Sequence, residues 1–215
     1  MEKINVRGIS FDNVTKGEAL ALISSRLDEG KRTVVFTPNS EIVESCIEDA
    51  SFRELISSAD ILLPDGIGVV KASKLLGTPL KEKVPGVEVG EELVKTLKNR
   101  SFFLLGGKKE SSKGCSVAES AKSSLEEKYA CNIVGTMHGY FDKNGDENEA
   151  VIETVNRSGA DILYVCLGSP AQEKWIFENK DKLSSAKLIL ALGGSLDVYA
   201  GETKRAPELF IKCGL

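Results

Sequence analysis

The sequence is poor in the residues from which metal centres and acid–base centres are usually assembled. It has a single histidine, His138, and five cysteines, Cys46, Cys115, Cys131, Cys166 and Cys213, with no C-x-x-C pair among them. A zinc site would have to be gathered from scattered thiolates, so no metal is expected. Cys166 lies within an apolar run and reads as a small buried hydrophobe. The longest apolar runs, such as 162–167 and 188–192, are strand-sized. None approaches the roughly 20 residues that a membrane-spanning helix needs. A one-signed charge bias is missing too. The 28 basic and 32 acidic residues give a net charge of −4 and are spread evenly along the chain, which argues against nucleic-acid binding. The opening residues, MEKIN, are not a basic region followed by an apolar stretch, so no secretory signal is expected. The expected compartment is the reducing cytoplasm. No G-x-G-x-x-G follows the first clear strand, and no G-x-x-x-x-G-K-[ST] occurs. Standard dinucleotide enzymes and P-loop NTPases are thereby disfavoured.

What is present is a regular rhythm. With 215 residues, 41% apolar and 28% charged, the chain can bury a sizeable core and is unlike disordered, collagenous or coiled-coil sequences. Nearly continuous apolar runs at 32–37, 61–64, 101–106, 132–137, 162–167 and 187–192 read as strands covered on both faces. Between them lie amphipathic segments at 17–27, 41–50, 52–59, 69–76, 91–98, 112–128, 147–157 and 170–179. This alternation predicts an α/β fold: a mostly parallel, Rossmann-like sheet of roughly six strands flanked by helices, in one domain spanning 1–215. The stretch 6–14 alternates apolar and polar residues around Gly8 and predicts a small N-terminal β-hairpin at the sheet edge. The stretch 77–90 holds two prolines and three glycines without helical period. It reads as a mobile loop or a connection between two halves, the second of which, from Ser101, has the rhythm of a nucleotide-binding unit.

Ligands of parallel sheets bind beyond the carboxyl ends of the strands. The residues there are Thr37-Pro38-Asn39-Ser40-Glu41, Pro64-Asp65-Gly66, Gly106-Gly107-Lys108, Gly168-Ser169-Pro170-Ala171-Gln172 and Gly193-Gly194-Ser195-Leu196-Asp197. Each has an ordinary reading beside the functional one. Asn39 or Ser40 would cap a helix, Asp65-Gly66 would form a turn, and the glycine pairs would make tight strand–helix turns. The same glycine backbone allows close approach to a phosphate. After the 132–137 strand, His138 reads as structural, whereas Tyr140 has the chemistry to stack on a base. The segment 142–146 offers spaced oxygen donors. Glu147, however, stands where a calcium loop of the EF-hand type needs glycine, so a surface turn is expected. The run 108–113 reads as the solvated start of a helix.

The combination T-P-N at 37–39, L-P-D-G at 63–66, G-S-P-x-Q-E-K-W at 168–175 and G-G-S-x-D-x-x-A-G-x-x-K-R-A-P at 193–207 resembles the WecG/TagA/CpsF glycosyltransferases. Four motifs in the family's order cover nearly the whole chain. The resemblance implies an inverting transfer of an N-acetylmannosamine-type sugar from a UDP donor. The implied acceptor is N-acetylglucosamine on a polyprenyl diphosphate at the cytoplasmic membrane face, as in the linkage unit of wall teichoic acid. A related donor carrying a uronate sugar is the alternative within the family. Outside it stand a nucleotide-sugar dehydrogenase or epimerase and a non-catalytic nucleotide-binding module.

Inverting transfer needs a base to take the acceptor proton while UDP leaves from the other face, and Asp65 on the rim suits that role. The resemblance implies that Thr37, Asn39, Gln172 and Lys83 belong with Asp65 to the catalytic group. Gly106, Gly107, Tyr140, Gly168, Pro170, Gly194, Asp197, Lys204 and Arg205 would bind substrate. With no paired carboxylates after a strand, the charge on departing UDP is expected to be met by backbone amides and basic side chains, without a metal or other cofactor. Two departures stand out. Lys83 and Glu88 occupy the places where the family shows arginine and a G-x-D pattern, and lysine lacks the bidentate fork of arginine. Relatives also continue past K-R-A-P with an aromatic and basic tail, whereas this sequence stops at Leu215. The expectation is that such a tail carries the peripheral contact with the membrane, and that the apolar residues of 207–215 pair between subunits in a homo-oligomer.

Overall fold

The structure is a computed structural model that describes residues 1–203. Six parallel strands form one sheet in the order β4-β3-β8-β7-β5-β6. They are β3 (Thr33–Phe36), β4 (Ile61–Leu62), β5 (Ser101–Gly106), β6 (Asn132–Met137), β7 (Ile162–Cys166) and β8 (Leu188–Ala191). Each lies within a run expected from the sequence. In all but the edge strand β6, which buries only Ile133 and exposes Val134, the apolar run has a direct cause, since successive side chains enter opposite cores. In β3, Val34 and Phe36 pack on one face and Val35 on the other; in β5, Phe103 and Leu105 oppose Phe102 and Leu104.

On the first face lie α2 (Ser40–Glu48), α3 (Ala50–Ser57), α4 (Ile67–Leu75), α7 (Asp146–Ser158) and α8 (Ala171–Asn179). On the second lie α1 (Lys16–Asp28), α5 (Gly86–Thr96), α6 (Val117–Tyr129) and the short α9 (Ser195–Ala200). Several helix starts are written in the sequence. Thr15 with Glu18, and Ser116 with Glu119, close capping boxes, while Asn39 and Asp49 cap α2 and α3.

The hairpin is β1 (Lys3–Val6) paired antiparallel with β2 (Ile9–Asp12), turning through Arg7 and Gly8 at positive φ. It forms a two-stranded sheet of its own and leans on the edge strand: buried Asp12 Oδ2 accepts from Leu62 N at 2.8 Å and pairs with Lys3 at 3.3 Å.

Two expectations are corrected. The stretch 77–90 is not a loop throughout, nor does it join two halves; it belongs to one continuous sheet structure, and 86–90 are the buried opening turns of α5. Two of its glycines, Gly86 and Gly90, mark close packing, whereas Gly77 takes a positive φ in open space. A Cβ on Gly90 would stand 2.5 Å from Tyr199 Oη and 2.9 Å from a Leu192 methyl. Tyr164 and Tyr199 donate to the carbonyls of Gly90 and Val87 at 2.8 and 2.6 Å, tying α5 to β7 and α9. Further, α6 begins at Val117, leaving 112–116 as a turn before it.

Candidate active site

The last two strands, β7 and β8, lie between the pairs β3–β4 and β5–β6. The chain leaves β7 for α8 on the first face and β8 for α9 on the second, so the two loops diverge, the arrangement that opens a crevice at the carboxyl edge of an α/β sheet. Two cavities lie there. The larger, about 670 Å³, is lined by Thr37, Asn39, Asp65, Gly168, Pro170, Gln172 and Gly194 together with Ser169, Gly193 and Ser195. The smaller, about 610 Å³, is lined by Gly107, Lys108, Gly139, Tyr140, Lys143 and Asp197. Leu167 lines one and Gly168 the other, and Ser195 and Asp197 are divided in the same way, so the loops after β7 and β8 form the partition.

In the larger cavity, Asp65 Oδ2 accepts from the N–H of Gly86, the first residue of α5, at 3.0 Å. The Asp65 N–H donates to Pro38 O at 3.1 Å, joining its loop to the Thr37–Asn39 loop. One backbone bond thereby holds the carboxylate and a second holds the Asp65 main chain. Thr37 Oγ1 donates to Ala191 O at 3.2 Å, bridging β3 and β8 at their ends. Asn39 Oδ1 accepts from Ile42 N at 3.0 Å, so Asn39 does serve as a helix cap while also lining the cavity. Gln172 is buried; its Oε1 accepts from Gly193 N at 3.0 Å and its Nε2 donates to Glu173 at 2.8 Å. Gln172 therefore shapes the wall through the Gly193 turn. The Ser169–Pro170 peptide is cis.

The smaller cavity gathers the second group. Tyr140 is 59% exposed, an open aromatic face rather than a core ring. Lys143 Nζ donates to the carbonyls of Gly139 and Phe141, at 3.2 and 3.4 Å, which holds the loop that carries Tyr140. Gly106, unlike Gly107, lines neither cavity; its φ is +140°, and a Cβ there would lie 2.1 Å from Cys166 O. Only glycine fits that position. Cys166 is buried and its thiol is pushed up to about 12 by desolvation, as expected of a packing residue.

Lys83 is half-buried and lines neither cavity. Its neighbour Val84 donates to Pro64 O at 2.7 Å, which sets it beside the Asp65 loop. Glu88 accepts from Lys16 Nζ at 2.7 Å and also lines neither cavity. Lys204 and Arg205 lie outside the described residues, as do the residues of 207–215 expected to pair between subunits. The segment 142–146 is a turn, where Asp142 Oδ1 accepts from Asn144 N and Glu147 accepts from Asp142 N. Among the described residues no three His, Cys, Asp or Glu side chains group as metal ligands would. No helix among them is long and apolar enough to cross a membrane.

One part of the larger cavity's wall was not anticipated, namely Ile42, Ser45 and Asp49 with Phe52. Counted from Asn39, the first three recur at steps of three, three and four, which is one helical face; that period was the available signal.

Comparison with known proteins bears directly on these loops. The profile of the glycosyl transferase WecG/TagA/CpsF family matches residues 4–215, which include every loop of both cavities. The chain belongs to the WecG/TagA/CpsF glycosyltransferase family. A protein of Staphylococcus aureus strain MRSA252, named N-acetylglucosaminyldiphosphoundecaprenol N-acetyl-beta-D-mannosaminyltransferase, is 34% identical over 217 positions, covering 99% of this chain and 82% of its own. Proteins of the same name from S. aureus strains NCTC 8325 and COL are 33% identical over the same shares. In this WecG/TagA/CpsF chain residues from each of the four motifs, Thr37 and Asn39, Asp65, Gly168 to Pro170 with Gln172, and Gly193 to Ser195 with Asp197, line one crevice, although more than 150 positions separate the first from the last.

Proposed function

We propose that this chain transfers N-acetylmannosamine from a UDP donor to the 4-hydroxyl of N-acetylglucosamine on a polyprenyl diphosphate, with inversion, in making the linkage unit of wall teichoic acid. The observation that carries the reading is the convergence of Thr37, Asn39, Asp65, Gln172 and Gly194 on a single cavity, beside a second cavity with an open aromatic, two lysines and three carboxylates, Asp142, Glu147 and Asp197. The relatives named above supply the substrate class.

In this reading the smaller cavity takes the nucleoside, with the uracil on Tyr140 and the ribose toward Asp197. Gly106 and Gly107 allow the nucleotide close to the backbone. The diphosphate lies toward the partition at 167–170, near the positive end of the α8 dipole, and Lys108 stands on the nucleoside side. The sugar then projects into the larger cavity, where the acceptor hydroxyl reaches Asp65. Asp65 removes the hydroxyl proton as the oxygen attacks the anomeric carbon and the bond to UDP breaks on the opposite face. Thr37 and Asn39 bound the sugar site, and Lys83 steadies the loop that presents Asp65. Lys204 and Arg205 add positive charge for the phosphates. No step calls for a metal.

The acceptor's lipid makes the inner face of the cell membrane the working location. A one-domain enzyme over 1–215, able to self-associate, completes the reading. The test is ligand protection followed by turnover. UDP is expected to raise the melting temperature and NAD to leave it unchanged, and a soluble acceptor analogue should gain one N-acetylmannosamine. Protection by NAD alone would point to a nucleotide-sugar dehydrogenase and end this reading.

A further inference from the structure

One residue beyond Gln172, α8 carries a carboxyl that none of the roles above employs. Glu173 is 1% exposed. Its Oε1 accepts from Gln172 Nε2 at 2.8 Å, and its Oε2 has no hydrogen-bond partner among the described residues. Gln172 uses the opposite end of its amide, Oε1, to accept from Gly193 N at 3.0 Å. Carboxyl, amide and backbone N–H thus form a directed chain from inside α8 to the turn after β8.

The direction matters because an amide donates at one end and accepts at the other. With Nε2 drawn to the Glu173 carboxyl, Oε1 must face Gly193. Rotated by half a turn, the amide would set its NH₂ against the Gly193 N–H and its oxygen against the carboxyl, leaving buried polar atoms unpaired. Glu173 therefore selects one of two amide orientations of nearly equal shape. Burial raises the Glu173 carboxyl above the ordinary range, opposed by the Gln172 amide, by its own backbone N–H and by the Ser169 hydroxyl. An apolar side chain would fill the same space without that desolvation. What it would not supply is an acceptor for Gln172. The turn so held is not remote: Gly193, Gly194 and Ser195 line the larger cavity, and Asp197, two residues on, lines the smaller.

We propose that Glu173 is a positioning residue which, by orienting the Gln172 amide, fixes the turn beginning at Gly193 and so sets Asp197, the residue two places beyond Ser195 that lines the cavity assigned to the donor nucleoside. The relay stands on the hydrogen bonds above, while its purpose rests on the donor reading of the preceding subsection.

The test compares Glu173→Ala, Glu173→Gln and Gln172→Ala in the full chain. Backbone hydrogen exchange at Gly193, UDP affinity by calorimetry and melting temperature are read side by side. In Glu173→Ala, exchange at Gly193 is expected to rise about tenfold and UDP binding to weaken about tenfold, the scale of one unmade buried hydrogen bond. Glu173→Gln, whose carboxamide oxygen still accepts from Gln172, should recover most of both losses. Gln172→Ala leaves the carboxyl in place and should release Gly193 equally. Unchanged Gly193 exchange in both alanine variants overturns the relay, as does equal behaviour of Glu173→Ala and Glu173→Gln. A fall in melting temperature with UDP affinity intact reduces Glu173 to packing and also overturns the proposal. If Glu173→Ala does not fold, Gln172→Ala decides on the same readouts. Should the unaltered protein not bind UDP, the donor reading fails, and with it the purpose assigned to the turn; exchange at Gly193 still judges the hydrogen-bond chain.

Discussion

At the scale of single residues, the crevice divides its polar groups into those that face outward and those that hold the wall. Tyr140 belongs to the first kind, since an exposed ring beside a cavity contributes little to packing. Tyr140→Ala is therefore expected to change the stability by no more than about 0.5 kcal/mol. It should weaken UDP binding by about 1–3 kcal/mol, the measured range for lost base–aromatic stacking, and calorimetry checks both. The cysteines give a second expectation. Burial pushes Cys46 to about 11 and Cys166 to about 12, and Cys131 is also raised and buried, whereas Cys115 is half-buried. Among the described cysteines, alkylation near pH 8 should mark Cys115 first and reach the other three only after denaturation. Peptide mapping of the labelled protein measures this, and early labelling of Cys166 would contradict its place in the core.

At the scale of elements, the crevice depends on how closely α5 approaches β7 and α9. Gly90 sets that distance, with Tyr199 Oη and Leu192 where a side chain would begin. Gly90→Ala improves helix propensity by roughly 1 kcal/mol, yet it is expected to destabilise the protein by about 1–3 kcal/mol through overpacking. Denaturant unfolding should show the net loss, and a stabilised variant would mean that α5 sits further out. The same glycines explain what was legible in the sequence. The six strands and most helices could be read because their side chains enter one core or two, which leaves a period of 3.6 or an unbroken apolar run. The start of α5 could not, because in GVEVG glycine serves tertiary contact and carries no period. The short α9 follows Gly193-Gly194 and is too brief to display a repeat. At the crevice, Asp65, Thr37 and Asn39 were legible as strand-end residues. The outer wall on α2 and α3 was hidden, since its residues cap and pack helices as many others do. The link from Glu173 to Gly193 spans two loops that only the folded sheet brings together.

At the scale of the whole molecule, one sheet edge gathers the loops after β3, β4, β7 and β8, and both cavities open there. Charge is nearly balanced over the chain, so the pull toward an anionic membrane cannot come from net charge. In the proposed reading that pull comes from local basic groups and from the acceptor itself. Transfer is expected to continue in excess chelator, because no grouping of three His, Cys, Asp or Glu side chains occurs among the described residues. A rate that collapses with chelator and returns with manganese or magnesium would contradict this. The central claim is that Asp65, held by the Gly86 N–H, takes the acceptor proton in a single inverting step. The most direct measurement is the rate of N-acetylmannosamine transfer to a lipid-diphosphate acceptor by Asp65→Asn, beside its affinity for UDP. The account predicts UDP binding within a few-fold of the unaltered protein and transfer lowered by about 10²-fold or more; transfer at the unaltered rate would remove Asp65 from the reaction.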